Sequence, residues 1–98
     1  MSEYRLSEEA QRDLYEIWKH IALDSVERAN AYIDRFDDAL LILAASPGMG
    51  HRRLDITQLP FRFWTVGRHF IIYYESKRPL TVFRVLSARR DISAILSE

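Results

Sequence analysis

Apolar residues at Ala10, Leu14, Ile17, Trp18, Ile21 and Ala22 recur at helical spacing, so one face of a first helix runs through them. Ser7 precedes it as an N-cap, and Glu8 and Glu9 fall in the first turn, where the helix dipole favours anions. Before it, Tyr4-Arg5-Leu6 is a short extended stretch. The pattern breaks at Leu23-Asp24-Ser25. Either Asp24 or Ser25 can cap a second helix, and Glu27 completes a capping box if the cap is Asp24. Ala29, Tyr32, Ile33, Phe36, Leu40, Leu43 and Ala44 then keep helical spacing until Ser46-Pro47-Gly48 stops it. The last turns, Ala39 to Ala45, are apolar nearly all round. That predicts a helix end wedged in the core in preference to a partner surface.

After the loop Gly48-Met49-Gly50-His51-Arg52-Arg53 the period changes. Phe61 to Val66 is rich in aromatic and β-branched residues, and Gly67-Arg68 suits a type II′ hairpin turn into the strand His69 to Glu75. Ser76-Lys77-Arg78-Pro79 turns the chain again. Leu80 to Ser87 is a third strand, so apolar that it belongs at a central position covered on both faces. Asp91 to Leu96 has room for a last helical turn or two. The expected fold is therefore α+β, in the order β-α-α-β-β-β(-α). A helical hairpin packs on a small antiparallel sheet, with the N-terminal strand beside the last one. The chain of 98 residues reads as one domain over residues 1–98, without repeats or linkers.

Composition narrows the function. Net charge is zero, from 14 basic and 14 acidic side chains, which is not the balance of a general nucleic-acid binder. Sequence-specific DNA binding by the chain alone is not expected. The acids crowd the first half. From Arg52 onward Arg52, Arg53, Arg62, Arg68, Lys77, Arg78, Arg84, Arg89 and Arg90 face only Asp55, Glu75, Asp91 and Glu98. The molecule should carry one positive surface. There is no cysteine, no basic-then-apolar leader pattern at the N-terminus, and no apolar run long enough to span a bilayer, so a cytoplasmic location without membrane contact is expected.

Motifs for an enzyme are missing: there is no glycine-rich phosphate loop, metalloprotease helix motif or nucleophile elbow. His20, His51 and His69 show no ligand spacing, so no metal or cofactor is expected. Asp34, Asp37 and Asp38 read as a solvated helix face. Arg84, inside an apolar strand, is either a structural ion pair with Glu75 or Asp91 or part of a binding surface. Arg89 and Arg90 follow that strand. Arg62 opens the first strand of the meander, beside Tyr73 or Tyr74 if the hairpin is in register. Arginines and tyrosines gathered on one sheet edge would recognise carboxylates or phosphates.

These residues resemble the RelE/ParE toxins of bacterial toxin–antitoxin systems over essentially the whole chain. The resemblance is carried by Tyr4-Arg5-Leu6-Ser7, Ala10, Asp13-Leu14, Ile17-Trp18, Glu27-Arg28-Ala29, Tyr32, Leu43-Ala44, Pro47, Gly50, Arg53-Leu54-Asp55 and Phe70-Ile71-Ile72-Tyr73-Tyr74. Its strongest element is Arg84-Val85-Leu86 running to Arg89-Arg90-Asp91. RelE-like members cut messenger RNA on the ribosome, whereas ParE-like members poison DNA gyrase. This chain has Phe70 where the nucleases commonly carry an arginine, and no tyrosine or histidine after Asp91. A proton-transfer pair for RNA cleavage is hard to assemble from it. The resemblance thus implies a ParE-like toxin without catalytic residues, binding gyrase (the GyrA subunit) and neutralised by a cognate antitoxin. The alternatives are a ribosome-dependent mRNA endonuclease, and a decayed toxin that only binds its antitoxin. The implied target-binding residues are Arg84, Arg89, Arg90, Arg62 and Trp64. Those implied for the antitoxin are Trp18, Tyr32, Arg84, Arg89 and Tyr73.

Overall fold

A computed structural model describes residues 3–97. Strand β1 (Tyr4–Leu6) leads into helices α1 (Glu8–Ala22) and α2 (Val26–Ala45), a single 3-10 turn at Pro47–Met49, strands β2 (Phe61–Val66), β3 (His69–Tyr74) and β4 (Leu80–Ser87), and a short helix α3 (Ile92–Leu96). The element order matches the hydrophobic pattern. The Ser7 hydroxyl caps α1 by accepting from the Ala10 N–H at 2.9 Å. Ser25, not Asp24, caps α2, accepting from the Arg28 N–H at 3.1 Å. With Ser25 as the cap, Glu27 is one residue short of the capping-box position.

The sheet order is β1-β4-β3-β2. Strands β2, β3 and β4 form the antiparallel meander, but β1 pairs with β4 in parallel, so the sheet is mixed and not purely antiparallel. Helix α1 runs along β4 in the strand's own direction, Ser7 meeting Val82 and Phe83 and Asp13 meeting Arg84 and Val85, and α2 returns the chain from Val66 to the Tyr73 end of the sheet. The predicted II′ turn is present. Gly67 has a φ of 56°, and among the described residues no non-glycine residue has positive φ, which excludes a type I′ turn.

Two apolar clusters flank the sheet. On one side Ala10, Phe36, Leu40 and Leu43 of the helices pack on Val66, Ile71, Tyr73, Leu80, Val82 and Val85. On the other, Ile92 and Leu96 of α3 close over Phe61, Phe63, Ile72 and Leu86. Strand β4 is central and buried on both faces, as its composition required.

A β-bulge in β4 organises the contact with α1. Ile72 opposes Arg84 and Tyr73 opposes Val82, leaving Phe83 as the extra residue. The bulge sends Val82 and Val85 to the helix side and Phe83 and Leu86 to the other. Backbone groups around it are met by the start of α1. The Ser7 N–H donates to the Val82 carbonyl at 3.0 Å, the Ser7 hydroxyl to the Phe83 carbonyl at 2.5 Å, and the Val85 N–H donates to Asp13 Oδ2 at 2.9 Å. Asp13 also accepts two bonds from Arg84, Nε to Oδ2 at 2.8 Å and Nη2 to Oδ1 at 3.0 Å. The expected partners of Arg84, Glu75 and Asp91, are engaged elsewhere: Glu75 binds Arg62 and Arg52, and Asp91 caps α3.

The end of α2 departs from expectation. Ala39, Leu40 and Leu43 are buried, but Leu41 and Ile42 are 47% and 52% exposed. Three apolar faces are more than the sheet and α1 can cover, so one remains at the surface.

Replacing Asp13 by alanine removes two hydrogen bonds from a largely buried guanidinium and one from the Val85 N–H. Side-chain exposure of the pair is only 21% for Arg84 and 13% for Asp13. The expected loss is about 3 kcal/mol of folding stability, read as a drop in urea midpoint. An unchanged midpoint would show that the bulge is held by apolar packing alone.

Candidate target-binding surface

The arginines that the sequence places on the sheet divide into committed and open groups. Arg84 is committed to Asp13. Arg62 lies opposite Tyr73 on β2, as the hairpin register implied. Its Nη2 binds Glu75 Oε1 at 3.1 Å, and its Nη1 donates to the Gly50 carbonyl at 2.7 Å. Arg52 reaches the second oxygen of Glu75 at 3.3 Å. Arg62 therefore tethers the 3-10 turn and its exit to the sheet.

Tyr73 does the same from inside. It is fully buried, its hydroxyl donates to the Pro47 carbonyl at 2.5 Å and accepts from the Gly50 N–H at 3.0 Å. Any side chain at Gly50 would overlap that hydroxyl. Burial pushes the Tyr73 phenol above its ordinary range, so it stays protonated. Tyr73 is thus a core residue, and its expected role as an antitoxin contact is corrected: a side chain with no exposed surface cannot line an interface.

Trp64 is half-buried against the helix-side core. Trp18 is also half-buried, donates to Asn30 Oδ1 at 2.8 Å and stacks beside the exposed Tyr15. Arg89 and Arg90 differ from Arg62 and Arg84. They stand exposed in the turn between β4 and α3, and neither has an ion pair among the described residues. The predicted residues therefore do not form one surface. Arg62 and Tyr73 brace the turn after α2, Trp18 and Tyr32 lie on the helices, and Arg89 and Arg90 project at the exit of β4.

Arg90 lines a cleft of about 350 Å³ between α1 and that exit, with Asp13, Glu16, His20 and His69. Composition did not single out the histidines here, because His20 and His69 are far apart in sequence and no motif spacing joins them. Tyr32 explains the position of His69. Its hydroxyl lies 2.7 Å from His69 Nδ1 and 3.2 Å from the Val66 carbonyl, and it accepts from the Arg68 N–H at 3.2 Å. One phenol of α2 thereby pins the whole β2–β3 turn. The phenol has one proton for two acceptors: when it goes to the Val66 carbonyl, an Nδ1–H of His69 donates to the phenol oxygen, and when it goes to Nδ1, the neutral imidazole carries its own proton on Nε2. Burial lowers the His69 pKa, favouring the neutral form. Among the described residues there is no cluster of three or more histidine, aspartate or glutamate side chains able to hold a metal ion, and no helix is long and apolar enough to cross a membrane.

A helical hairpin on a four-stranded mixed sheet, with a bulged central strand leading to an arginine pair, defines a small α+β protein of the RelE/ParE type. The family model of the ParE toxin of type II toxin–antitoxin systems (parDE) matches residues 4–92. The chain belongs to that family. A solved structure described as the chromosomal ParDE TA system from P. aeruginosa is similar over 86% of this chain and 92% of that one, with a TM-score of 0.69 at 17% identity, a likeness of fold. No curated protein matches the chain.

The lowered His69 pKa sets a pH dependence. An unfolded histidine takes its proton near pH 6.5, whereas the folded one takes it only at lower pH. Between the two values the unfolded state binds more protons, so stability should fall as pH drops below about 6.5 and level off once the folded imidazole titrates. Urea midpoints between pH 7.5 and 5 check this. His69→Asn, which keeps a side chain able to donate to or accept from Tyr32, should remove that part of the slope. An equal slope in the variant would assign it to other groups.

Proposed function

We propose that this ParE-family toxin acts by binding DNA gyrase, through its GyrA subunit, and by trapping the enzyme on DNA without turnover of its own. The observation that carries the reading is the division of the arginines. A nuclease needs basic groups free to face a scissile phosphate. Here Arg62 and Arg84 are held by Glu75 and Asp13. The position before Ile71 is Phe70, packed edge-on against Phe63. The exposed pair Arg89 and Arg90 offers the cationic anchors that protein interfaces favour.

Neutralisation is assigned to a cognate antitoxin whose tail lays apolar side chains on the helical hairpin. The exposed Tyr15, Leu23, Leu41 and Ile42 support this. Acids of the tail would meet Arg89 and Arg90. Arg84 belongs to the same proposal only as the strut that holds this end of β4, because Asp13 already occupies its guanidinium.

A purified comparison tests the target. Gyrase with supercoiled plasmid should lose supercoiling activity or accumulate cleaved DNA when the protein is added, and ribosomes carrying a message should show no A-site cut. Arg89→Glu with Arg90→Glu should weaken the gyrase effect by roughly tenfold or more while leaving the urea midpoint in place, because both side chains are exposed. Ribosome-dependent cleavage with unaffected gyrase would replace this reading by the mRNA endonuclease. If neither effect occurs, and induction without antitoxin leaves growth normal, the decayed toxin takes its place.

A further inference from the structure

A second pocket, of about 450 Å³, adjoins the cleft beside Arg90 and shares His20, Ile21 and His69 with it. It opens between the end of α1, the first half of α2 and the β2–β3 turn. Arg35 and Arg68 complete its charged lining, and none of the described residues lining it is acidic. Asp13 and Glu16 belong to the neighbouring cleft. Neither Arg35 nor Arg68 has an ion-pair partner among the described residues. Two guanidinium groups and two imidazoles thus converge on one concavity without a counter-charge in its walls.

Tyr32 builds this arrangement. Its ring lies under the Arg35 guanidinium, 5.4 Å from centroid to carbon, and its hydroxyl holds the Arg68 backbone and the His69 ring. Gly67 has to be glycine beside it. A Cβ there would come within 2.5 Å of the Tyr32 hydroxyl, and its φ of 56° is strained for other residues. The cationic groups are therefore carried on a braced turn and a helix, a preorganised arrangement for an anion.

We propose that this pocket is a phosphate-binding site of nucleotide size. Arg35 and Arg68 clamp the phosphate, His20 and His69 supply further N–H donors, and Ile21 with the Tyr32 ring forms an apolar wall for the attached nucleoside. A phosphate offers more acceptor oxygens and more charge than a carboxylate, which suits two guanidinium forks better. The volume leaves room beyond the phosphate for a sugar and base. The same chemistry is presented by a free nucleotide and by a nucleic-acid strand.

The test is a titration of the isotope-labelled protein followed by NMR, with inorganic phosphate, adenosine 5′-monophosphate, a 5′-phosphorylated oligodeoxynucleotide and a hexaglutamate peptide as probes. The nucleotide should move the Arg68 amide and the His20 and His69 ring signals saturably. The exposed pair Arg35→Glu and Arg68→Glu should lower its affinity by more than about tenfold without changing the melting temperature. A tighter oligonucleotide than mononucleotide assigns the site to nucleic acid, and equal affinities assign it to free nucleotide. Both outcomes keep the pocket. No saturable shift with any phosphate, tighter binding of hexaglutamate than of the nucleotide, or unchanged affinity in the double variant overturns it. Gyrase is absent from the measurement, so this proposal and the target reading stand or fall separately.

Discussion

The carboxylate of Asp13 is the contact on which the arrangement of helices and sheet depends. It accepts from both Nε and Nη2 of Arg84 and from the Val85 N–H. A bulge in a central strand leaves backbone groups without ladder partners, and a guanidinium there carries a desolvation cost. One aspartate meets both needs because α1 crosses β4 at that point. Ser7 completes the junction. Its hydroxyl accepts from Ala10 as a helix cap and donates to Phe83 as a bulge partner. The start of α1 and the irregularity in β4 are thus one hydrogen-bonded unit, and the parallel placement of β1 follows from where it anchors.

Two tyrosines extend the same economy to the ends of the sheet. Tyr73 ties the turn after α2 to β3 from within the core, and Tyr32 ties the β2–β3 turn to α2. Each excludes a side chain from a nearby glycine, Gly50 or Gly67. A domain of this size has little apolar area to spend on its loops, so phenols that satisfy several backbone groups hold them in place.

These commitments shape the surface left for partners. Glutamate and aspartate claim the sheet arginines at positions 62 and 84, while those at 89 and 90 stay open to solvent. The apolar excess at the end of α2 is likewise left outside. The proposed roles in target and antitoxin recognition draw on that remainder.

The identity and order of the elements were legible from spacing alone, because helical and alternating periods record which faces are buried. The α1 cap, the hairpin turn at Gly67-Arg68 and the centrality of Leu80 to Ser87 all followed from local chemistry. The resemblance in Arg84-Val85-Leu86 and Arg89-Arg90-Asp91 carried the family. Which acid each arginine meets was not legible. Asp13 lies 71 residues from Arg84, and the bulge that brings them together depends on sheet register. The burial of Tyr73, the exposure of Leu41 and Ile42, and the convergence of His20, Arg35, Arg68 and His69 were decided the same way. A residue's period says that one face is covered, whereas its partners across the fold depend on how the covered faces meet.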